Sequence, residues 1–150
     1  MTERIYVDTS VFGGYFEVEF EEWTKPFFEK FISGEYKMLY SQLTELELKK
    51  APEHVQNLIK QIPAEHIEFL SITDQANSLA DYYINENVVG RTSIEDCRHI
   101  AIATLNNADI LASWNFKHIV NVQRIRGYNS VNYKFGHKII DIRTPREIIS

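Results

Sequence analysis

Short apolar segments alternate with amphipathic helical segments along the chain, and this alternation constrains the fold more than any other feature. The predicted strands cover residues 5–7, 36–40, 67–72, 110–112 and 138–142. A strand followed by a helix of ten or more residues returns to a parallel neighbour in the same sheet. The sequence therefore predicts an α/β fold, a three-layer αβα sandwich with a mostly parallel central sheet, in a single domain over residues 1–150.

The predicted helices also carry clear start and stop signals. Pro26 is expected near the first position of one helix, Thr73 and Ser93 are expected to cap two others, and Gly34 and Pro63 are expected to end helices. The helices are predicted at residues 26–33, 43–50, 52–62, 73–84, 93–105 and 119–133, with a terminal turn at 144–145. In such parallel sheets ligands bind outside the carboxyl ends of the strands. Asp8 directly follows the first strand there, and residues 113–115 follow the fourth.

Composition excludes several classes of protein. With 44% hydrophobic and 13% aromatic residues the chain has enough apolar material for one core. The lone Cys97 rules out an internal disulfide framework, and its apolar helical setting predicts a small core residue. The first residues enter a strand without an apolar leader, and no apolar run approaches the ~20 residues of a membrane span. We therefore expect no membrane segment and a cytoplasmic location.

Charge is distributed unevenly along the chain. The net charge of −5 is not typical of a nucleic-acid-binding protein. Residues 1–113 carry nine Lys and Arg against nineteen Asp and Glu, a balance of −10, whereas residues 114–150 carry seven against two, a balance of +5. An acidic body with a basic tail is a hint of contact with a polyanion, although solvated helix faces give similar counts.

Three acidic residues are candidates for chemistry, and each has a structural alternative. Asp8 could bond backbone N–H groups in a turn. Asp96 could complete a capping box with Ser93. Glu47 could belong to a solvated helix face. Together they are expected at one edge of the sheet, where three ionised carboxylates repel one another unless a cation lies between them.

The residue types select the kind of cation. Hard ions such as Mg²⁺ and Mn²⁺ prefer carboxylate and water oxygens. The five histidines are scattered, and no HExxH or CxxC spacing indicates zinc. Gly13 and Gly14 lack the Lys-Ser/Thr of a phosphate-binding loop and are predicted to form a turn. The sequence therefore predicts a carboxylate site for a divalent metal.

Four segments in one order resemble the PIN-domain family, which includes the VapC-type toxins of toxin–antitoxin pairs. They are YVDTS at 6–10, SQLTELEL at 41–48, DCRHIA at 96–101 and ADILASWN at 108–115. The resemblance covers nearly the whole chain. It implies that Asp8, Glu47 and Asp96 are metal ligands and catalytic residues, with Glu45 as the alternative to Glu47.

The fourth acidic position of the family falls on Asn115, which is a departure. Asparagine can still offer a carbonyl oxygen or orient water, but the loss of one negative charge weakens the case for a second metal. Thr9 and Ser113 occupy positions where the family has hydroxyl groups that support the ligands.

The resemblance implies a divalent-metal-dependent endoribonuclease, with Mg²⁺ or Mn²⁺ as cofactor, that leaves 5′-phosphate and 3′-hydroxyl ends. It also implies an antitoxin protein as partner and makes a homodimer a further expectation. The aromatic segment 23–31 is a candidate partner contact, and Tyr128 and Tyr133 are candidates for base stacking, although covering the core is the alternative for each. The basic residues expected to attract RNA are Lys117, Arg124, Arg126, Lys134 and Lys138.

Two other functions remain open at the level of sequence. A catalytically weakened PIN-like module that binds RNA or protein is favoured by Asn115 and opposed by the three retained acids. A receiver-type signalling domain also gathers acids at strand ends. It would require paired acids after the first strand and a lysine at the end of a late strand, and neither is evident.

Overall fold

Five parallel strands form the central sheet of the protein. The computed structural model describes residues 2–150. The strands are β1 (Glu3–Val7), β2 (Tyr36–Ser41), β3 (Ile67–Leu70), β4 (Ile110–Ala112) and β5 (Ile142–Arg143), in the spatial order β3-β2-β1-β4-β5. All four pairings are parallel. The predicted α/β fold is confirmed, and β1 lies at the centre of the sheet.

Helices cover both faces of this sheet. The helices are α1 (Thr9–Gly14), α2 (Glu21–Ile32), α3 (Gln42–Leu48), α4 (Glu53–Gln56), α5 (Asp74–Asn85), α6 (Ile94–Leu105), α7 (Val122–Lys134) and α8 (Pro145–Ile149). Residues of α5, α6 and α7 form one core cluster, and residues of α1, α2, α4 and α8 form the other. This is the predicted three-layer arrangement.

The pleat of β1 assigns its side chains to the two cores. Ile5 and Val7 are buried against α2, whereas Tyr6 is buried on the α6 side. Successive strand residues point to opposite faces, so a single position decides which helix a side chain meets. Tyr6 therefore carries a hydroxyl into the α6 face of the core, directly beneath the end of the strand where Asp8 lies.

The last strand lies closer to the C-terminus than predicted. We expected residues 138–142, but only Ile142–Arg143 pair with β4. The side chain of Asn129 explains the difference, because its Nδ2 donates to the Ile140 carbonyl at 3.0 Å and its Oδ1 accepts from the Ile140 N–H at 2.7 Å. A helix side chain thus takes the backbone groups that a longer strand would have used.

Three other predictions about helices also differ from the structure: one boundary, one helix that was predicted as a turn, and one helix that is divided. Helix α2 begins at Glu21 and contains Pro26 in its interior, with Glu21 and Glu22 in the first turn where acids favour the positive helix end. Residues 9–14 form helix α1 rather than a turn. The segment predicted as one helix at 52–62 is the short α4 followed by a 3₁₀ turn at Asn57–Gln61.

The aromatic segment 23–31 is mostly core, so its interpretation as a partner contact is wrong. Phe27, Phe28 and Phe31 are completely buried, and their rings meet edge to face. Three aromatic rings bury a large apolar area when they cover the sheet, which outweighs leaving them exposed for a partner. Among residues 2–150 no helix is long and apolar enough to cross a membrane.

Candidate functional site

Four chain segments bring the predicted site residues to the carboxyl edge of the sheet. Asp8 directly follows β1, and Ser113 directly follows β4, its parallel neighbour. Glu47 lies on α3, which continues from β2, and Asp96 lies in the first turn of α6. The topology therefore places Asp8, Glu47 and Asp96 beside one another, although they are far apart in sequence.

Asp8 is held by two hydroxyl groups rather than by backbone N–H groups. It is 4% exposed, and its Oδ2 accepts from Ser10 Oγ at 2.7 Å and from Ser113 Oγ at 2.8 Å. Asp8 occupies the N-cap position of α1, but its side chain makes no capping hydrogen bond. The turn-bonding alternative is therefore not what this carboxylate does. Its Oδ1 faces the interior of the site.

Glu47 meets Asp8 through a histidine. Its Oε1 lies 2.6 Å from His99 Nε2, and the same Nε2 lies 3.5 Å from Asp8 Oδ1. The Thr9 hydroxyl donates to the same Glu47 oxygen. Glu45, the alternative ligand, is exposed. Of the two glutamates, only Glu47 reaches the residues around Asp8.

A buried row of hydroxyl groups contacts the second ring nitrogen of His99, Nδ1. The Tyr6 hydroxyl lies 2.6 Å from His99 Nδ1 and 2.7 Å from Ser41 Oγ, which in turn lies 3.1 Å from Thr44 Oγ1. All four residues are buried. Both ring nitrogens of His99 are therefore occupied, which fixes the plane of the imidazole.

The ionisation states of His99 and Glu47 follow from their surroundings. Burial alone would lower the pKa of the His99 imidazole, but the Tyr6 hydroxyl and the carboxylates of Glu47 and Asp8 outweigh it, so the pKa lies well above its usual value. Burial would likewise raise the pKa of Glu47, but the hydrogen bond and charge of His99 outweigh it and the pKa is lowered. Both shifts favour an imidazolium beside a carboxylate.

Asp96 is the acid whose charge is least compensated. Burial, and after it the charge of Asp8, raise its pKa above the usual value. Its Oδ1 accepts from Asn115 Nδ2 at 3.3 Å, a long contact. The capping-box alternative for Asp96 does not apply, and the predicted cap by Ser93 is wrong, because Ser93 makes no side-chain capping bond and its N–H bonds the Gly90 carbonyl in a 3₁₀ turn. The carboxylate is thus available to the site.

Asn115 is held at the same edge by its own segment. Its N–H donates to Ser113 Oγ at 2.9 Å, and its Oδ1 accepts from the His118 N–H at 3.0 Å. The carbonyl oxygen that could serve as a ligand is therefore engaged by the backbone. The amide nitrogen faces Asp96, where a fourth carboxylate would only have added negative charge.

The donor set fits a hard divalent cation by type and by charge. Three carboxylates converge, and burial, followed by the charge of Asp8, raises the pKa of Asp96; a cation would offset both effects. Over residues 2–150, however, no group of three or more His, Cys, Asp or Glu side chains is arranged so that it could hold a metal ion. As placed, the His99 ring occupies the space between Asp8 and Glu47.

A groove of about 760 Å³ opens beside the outer side of Glu47. It lies between α3, α5 and α6 and is bordered by Lys50, Arg98 and Glu95. Arg98 is paired with Glu95, whereas the Lys50 side chain is exposed. The groove has the size that ligand sites have in proteins, and Glu47 is the member of the acidic site that lines it.

Of the five residues predicted to attract RNA, Arg124, Arg126 and Lys134 lie on α7, Lys117 precedes that helix and Lys138 follows it. Lys117 and Arg126 are exposed, whereas the Arg124 guanidinium donates to the Val88 carbonyl. Tyr128 is completely buried and its hydroxyl donates to the His118 carbonyl at 2.7 Å, so its predicted stacking role is wrong. Tyr133 is 82% exposed.

Sequence reasoning missed His99, which the scattered histidines hid. A signal was present, because Asp96 and His99 are three residues apart on one helix and therefore share a face. The partner residue Tyr6 could not be found from its own segment, since a tyrosine in an apolar strand is typical of a core.

Comparisons with known proteins support the fold at low sequence identity. No protein-family model matches the sequence, and no curated protein matches it. A chain of the VapBC2 complex from Rickettsia felis, bound to a DNA fragment from its promoter, superposes with a TM-score of 0.56 at 12% identity over 94% of this chain and 98% of that chain. A chain of the DNA-bound VapBC complex from Salmonella typhimurium gives 0.56 at 19% identity over 97% and 99%. At these identities the likeness shows the fold.

Proposed function

We propose that this chain, which has the fold of a VapC-like PIN domain, is a divalent-metal-dependent endoribonuclease. The observation that carries the proposal is the convergence of Asp8, Glu47 and Asp96 at the carboxyl edge of the parallel sheet. Each comes from a different strand–helix unit, and no Lys or Arg among residues 2–150 pairs with any of the three. Three acids brought together with a histidine as their contacting base, and with no Lys or Arg, favour a site over a purely structural arrangement.

The chain's own residues would orient the ligands before metal binds. Ser10 and Ser113 fix Oδ2 of Asp8 and leave Oδ1 directed into the site. His99 and Thr9 hold one oxygen of Glu47. Mg²⁺ or Mn²⁺ held by Asp8, Glu47 and Asp96 would supply polarisation of a phosphoryl oxygen and activation of water. Hydroxyl and imidazole partners of this kind set the orientation and basicity of carboxylate ligands.

An antitoxin is part of the proposal. The two neighbours described above are chains of VapBC complexes, which favours a partner protein for this chain as well. We propose that the partner covers the acidic site and suppresses cleavage. A cytoplasmic location and a homodimer remain predictions from the sequence.

A second function is favoured by specific observations. Asn115 stands at the family's fourth acidic position, and His99 contacts Asp8 and Glu47, two of the residues that would hold a metal. Both features would suit a PIN-like module that binds RNA or protein without cutting it. The three remaining acids, with an uncompensated Asp96, favour the nuclease.

The test combines metal binding with cleavage. The purified chain is incubated with single-stranded and structured RNAs in Mn²⁺, in Mg²⁺ and in EDTA, and Mn²⁺ binding is measured in parallel by calorimetry. The Asp8→Asn/Asp96→Asn double variant controls for contaminating nucleases, because asparagine keeps the shape of each side chain. Glu45→Gln is the matched surface control, since Glu45 is exposed and makes no contact with the site.

The outcomes separate the two functions. Metal-dependent cleavage that the double variant loses and Glu45→Gln keeps would establish the nuclease. A folded chain that neither binds Mn²⁺ nor cleaves RNA would refute it. RNA binding in EDTA by such a chain would then favour the binding module.

A further inference from the structure

A second cavity lies beside the acidic site, and aromatic rings form most of its wall. It has a volume of about 420 Å³. We call it the aromatic pocket; its rings are Phe20, Trp23, Trp114 and Phe116, and Arg146 lies at its rim. None of these side chains contacts the three carboxylates, so the site described above does not account for them.

One wall of the aromatic pocket is rigid. The Trp114 indole N–H donates to Thr24 Oγ1 at 2.9 Å, and Phe20 stacks on the indole with ring centroids 4.4 Å apart at 21°. A Cβ at Gly14 would lie 2.6 Å from Trp114 Cδ1, so only glycine allows the indole this position. The ring therefore keeps one orientation without a ligand.

The other wall is open and carries a free cation. Phe116 is 51% exposed, and the Arg146 guanidinium lies 4.8 Å from the Trp23 ring centroid. No carboxylate lies within ion-pair distance of Arg146 in the part of the chain that the structure describes. The neighbouring Glu147 accepts from the Thr144 N–H and hydroxyl instead. Glu19 and Glu147 also line the pocket, so a ligand with a flat ring would stack on the exposed rings and turn its negative group toward Arg146.

The aromatic pocket and the acidic site share one segment of chain. Trp114 stands between Ser113, which bonds Asp8, and Asn115, which bonds Asp96. The Trp114 N–H also donates to Ser10 Oγ at 3.0 Å, and this hydroxyl in turn donates to Asp8. The wall of the aromatic pocket and two residues of the acidic site therefore belong to one continuous stretch of backbone, residues 113–115.

We infer that the aromatic pocket binds an unpaired nucleobase of the RNA substrate, next to the phosphodiester at the acidic site, while Arg146 contacts the backbone phosphate of that nucleotide. The inference rests on the proposed ribonuclease function and deepens it. Proteins that bind single-stranded RNA stack its bases on aromatic rings and contact its phosphates with arginine. The enzyme would then select single-stranded or looped RNA, because a paired base is not free to enter the pocket.

The natural fluorescence of the chain gives a direct test. Its two tryptophans, Trp23 and Trp114, both line the aromatic pocket. Fluorescence is titrated in EDTA, where no metal supports cleavage, with adenosine 5′-monophosphate, uridine 5′-monophosphate and a short single-stranded oligoadenylate. We expect saturable quenching by at least one of them. Phe116→Ala and Arg146→Ala should each weaken oligonucleotide binding about tenfold.

Matched controls lie elsewhere on the surface. Phe69→Ala removes an equally exposed ring on β3, and Lys60→Ala removes an exposed cation in the 3₁₀ turn at Asn57–Gln61. Both should bind as wild type does. Circular dichroism of each variant establishes that it is folded before it is titrated.

Each outcome decides a different question. Quenching that depends on Phe116 in a chain that neither binds Mn²⁺ nor cuts RNA would support the aromatic pocket as a nucleotide site and refute the nuclease. Cleavage without saturable quenching by any nucleotide probe, or binding unchanged in Phe116→Ala, would overturn the pocket and leave the nuclease standing. Quenching by N-acetylphenylalanine amide but by no nucleotide probe would overturn it in favour of a protein-docking surface.

Discussion

The two ends of the central sheet differ in how their acidic side chains are paired. At the amino end, Arg4 of β1 forms a two-pronged pair with Glu68 of β3, at 2.9 and 3.2 Å, and the Arg4 N–H bonds the Asp109 carboxylate at 2.8 Å. At the carboxyl end the same strand runs into Asp8. There the three carboxylates pair with no Lys or Arg of the described residues; the basic groups near them are the imidazoles of His99 and His118, and the other donors are neutral hydroxyls and an amide.

This difference separates a structural arrangement of charge from a functional one. The amino end compensates each acid with a permanent cation or a backbone donor, which suits a surface pair of modest stabilising effect. The carboxyl end leaves Asp96 with a raised pKa. An arrangement that destabilises the free protein is typical of sites that bind a charged ligand. The comparison therefore predicts that substitutions at the two ends have opposite effects on stability and activity.

The largest effect is expected for Asp8→Asn. RNA cleavage should fall at least about a hundredfold, because one of the candidate ligands is lost. Thermal stability in EDTA should stay equal or rise, since the charge that helps to raise the pKa of Asp96 disappears. A carboxyl whose folded pKa is raised loses stability as the pH climbs from its usual 3.8 through that pKa, and this loss should shrink.

Two measurements check this first expectation. Cleavage rates in Mn²⁺ are compared for Asp8→Asn, wild type and Glu68→Gln at the amino end, which should cut normally. Carboxyl NMR titration should find the pKa of Asp96 lowered in Asp8→Asn. Full cleavage by Asp8→Asn would contradict the assignment of function to this end of the sheet.

The next effect is expected for His99→Leu. The leucine removes the only group that joins Tyr6, Glu47 and Asp8, and leaves a half-buried carboxylate without its partner. Breaking a buried pair in this way costs roughly 2–4 kcal/mol of unfolding free energy. Urea denaturation at neutral pH measures it. His99→Gln, which keeps a polar side chain, should recover part of the loss, and a leucine variant as stable as wild type would show that the ring does not tie the site together.

The sequence predicted which segments form this site better than it predicted the contacts between their side chains. Periodicity and the ends of strands were sufficient to place Asp8, Glu47 and Asp96 at one edge, because parallel topology determines which ends meet. The same reasoning could not place His99 against Glu47, since that contact depends on the register between α3 and α6. It also could not predict the bounds of β5, because a single side chain, Asn129, shortens the strand.

The aromatic residues show the same limit of prediction from sequence. Phe27, Phe28 and Phe31 and the exposed Phe116 are equally apolar in sequence, yet the first three form core and the last lines a cavity. Burial of an aromatic ring is decided by the packing of elements distant in the chain. Trp114 was included in a family motif, but its role as a pocket wall depends on Gly14 and Thr24, which belong to another layer.

A smaller effect is expected for Asn115→Asp, which sharpens the comparison by making the carboxyl end more acidic. Mn²⁺ affinity should rise about tenfold, because ligand charge strengthens binding of hard cations. In EDTA the variant should be less stable than wild type, because a carboxylate replaces the amide that donates to Asp96. Calorimetry measures the affinity, with Asn115→Ala as the matched control. Unchanged Mn²⁺ affinity in the aspartate variant would place Asn115 outside the metal's surroundings.

The smallest effect is expected at the amino end, for Arg4→Met. Methionine keeps an unbranched apolar stem but loses the pair with Glu68 and the contacts to the Asn106 and Asn107 carbonyls, each at 3.1 Å. The pair is partly exposed, so its loss should cost roughly 1 kcal/mol and lower the melting temperature by about 2–4 °C. RNA cleavage and Mn²⁺ affinity should not change.

A double-variant cycle measures the interaction between Arg4 and Glu68. Arg4→Met and Glu68→Gln remove the two sides of one interaction, so the double variant should lose less stability than the two single losses added together. Thermal unfolding of the four proteins in EDTA measures the difference. If Arg4→Met also weakened Mn²⁺ binding, the charges at the two ends of β1 would be coupled through the strand. The amino end could then no longer serve as the structural reference for the site.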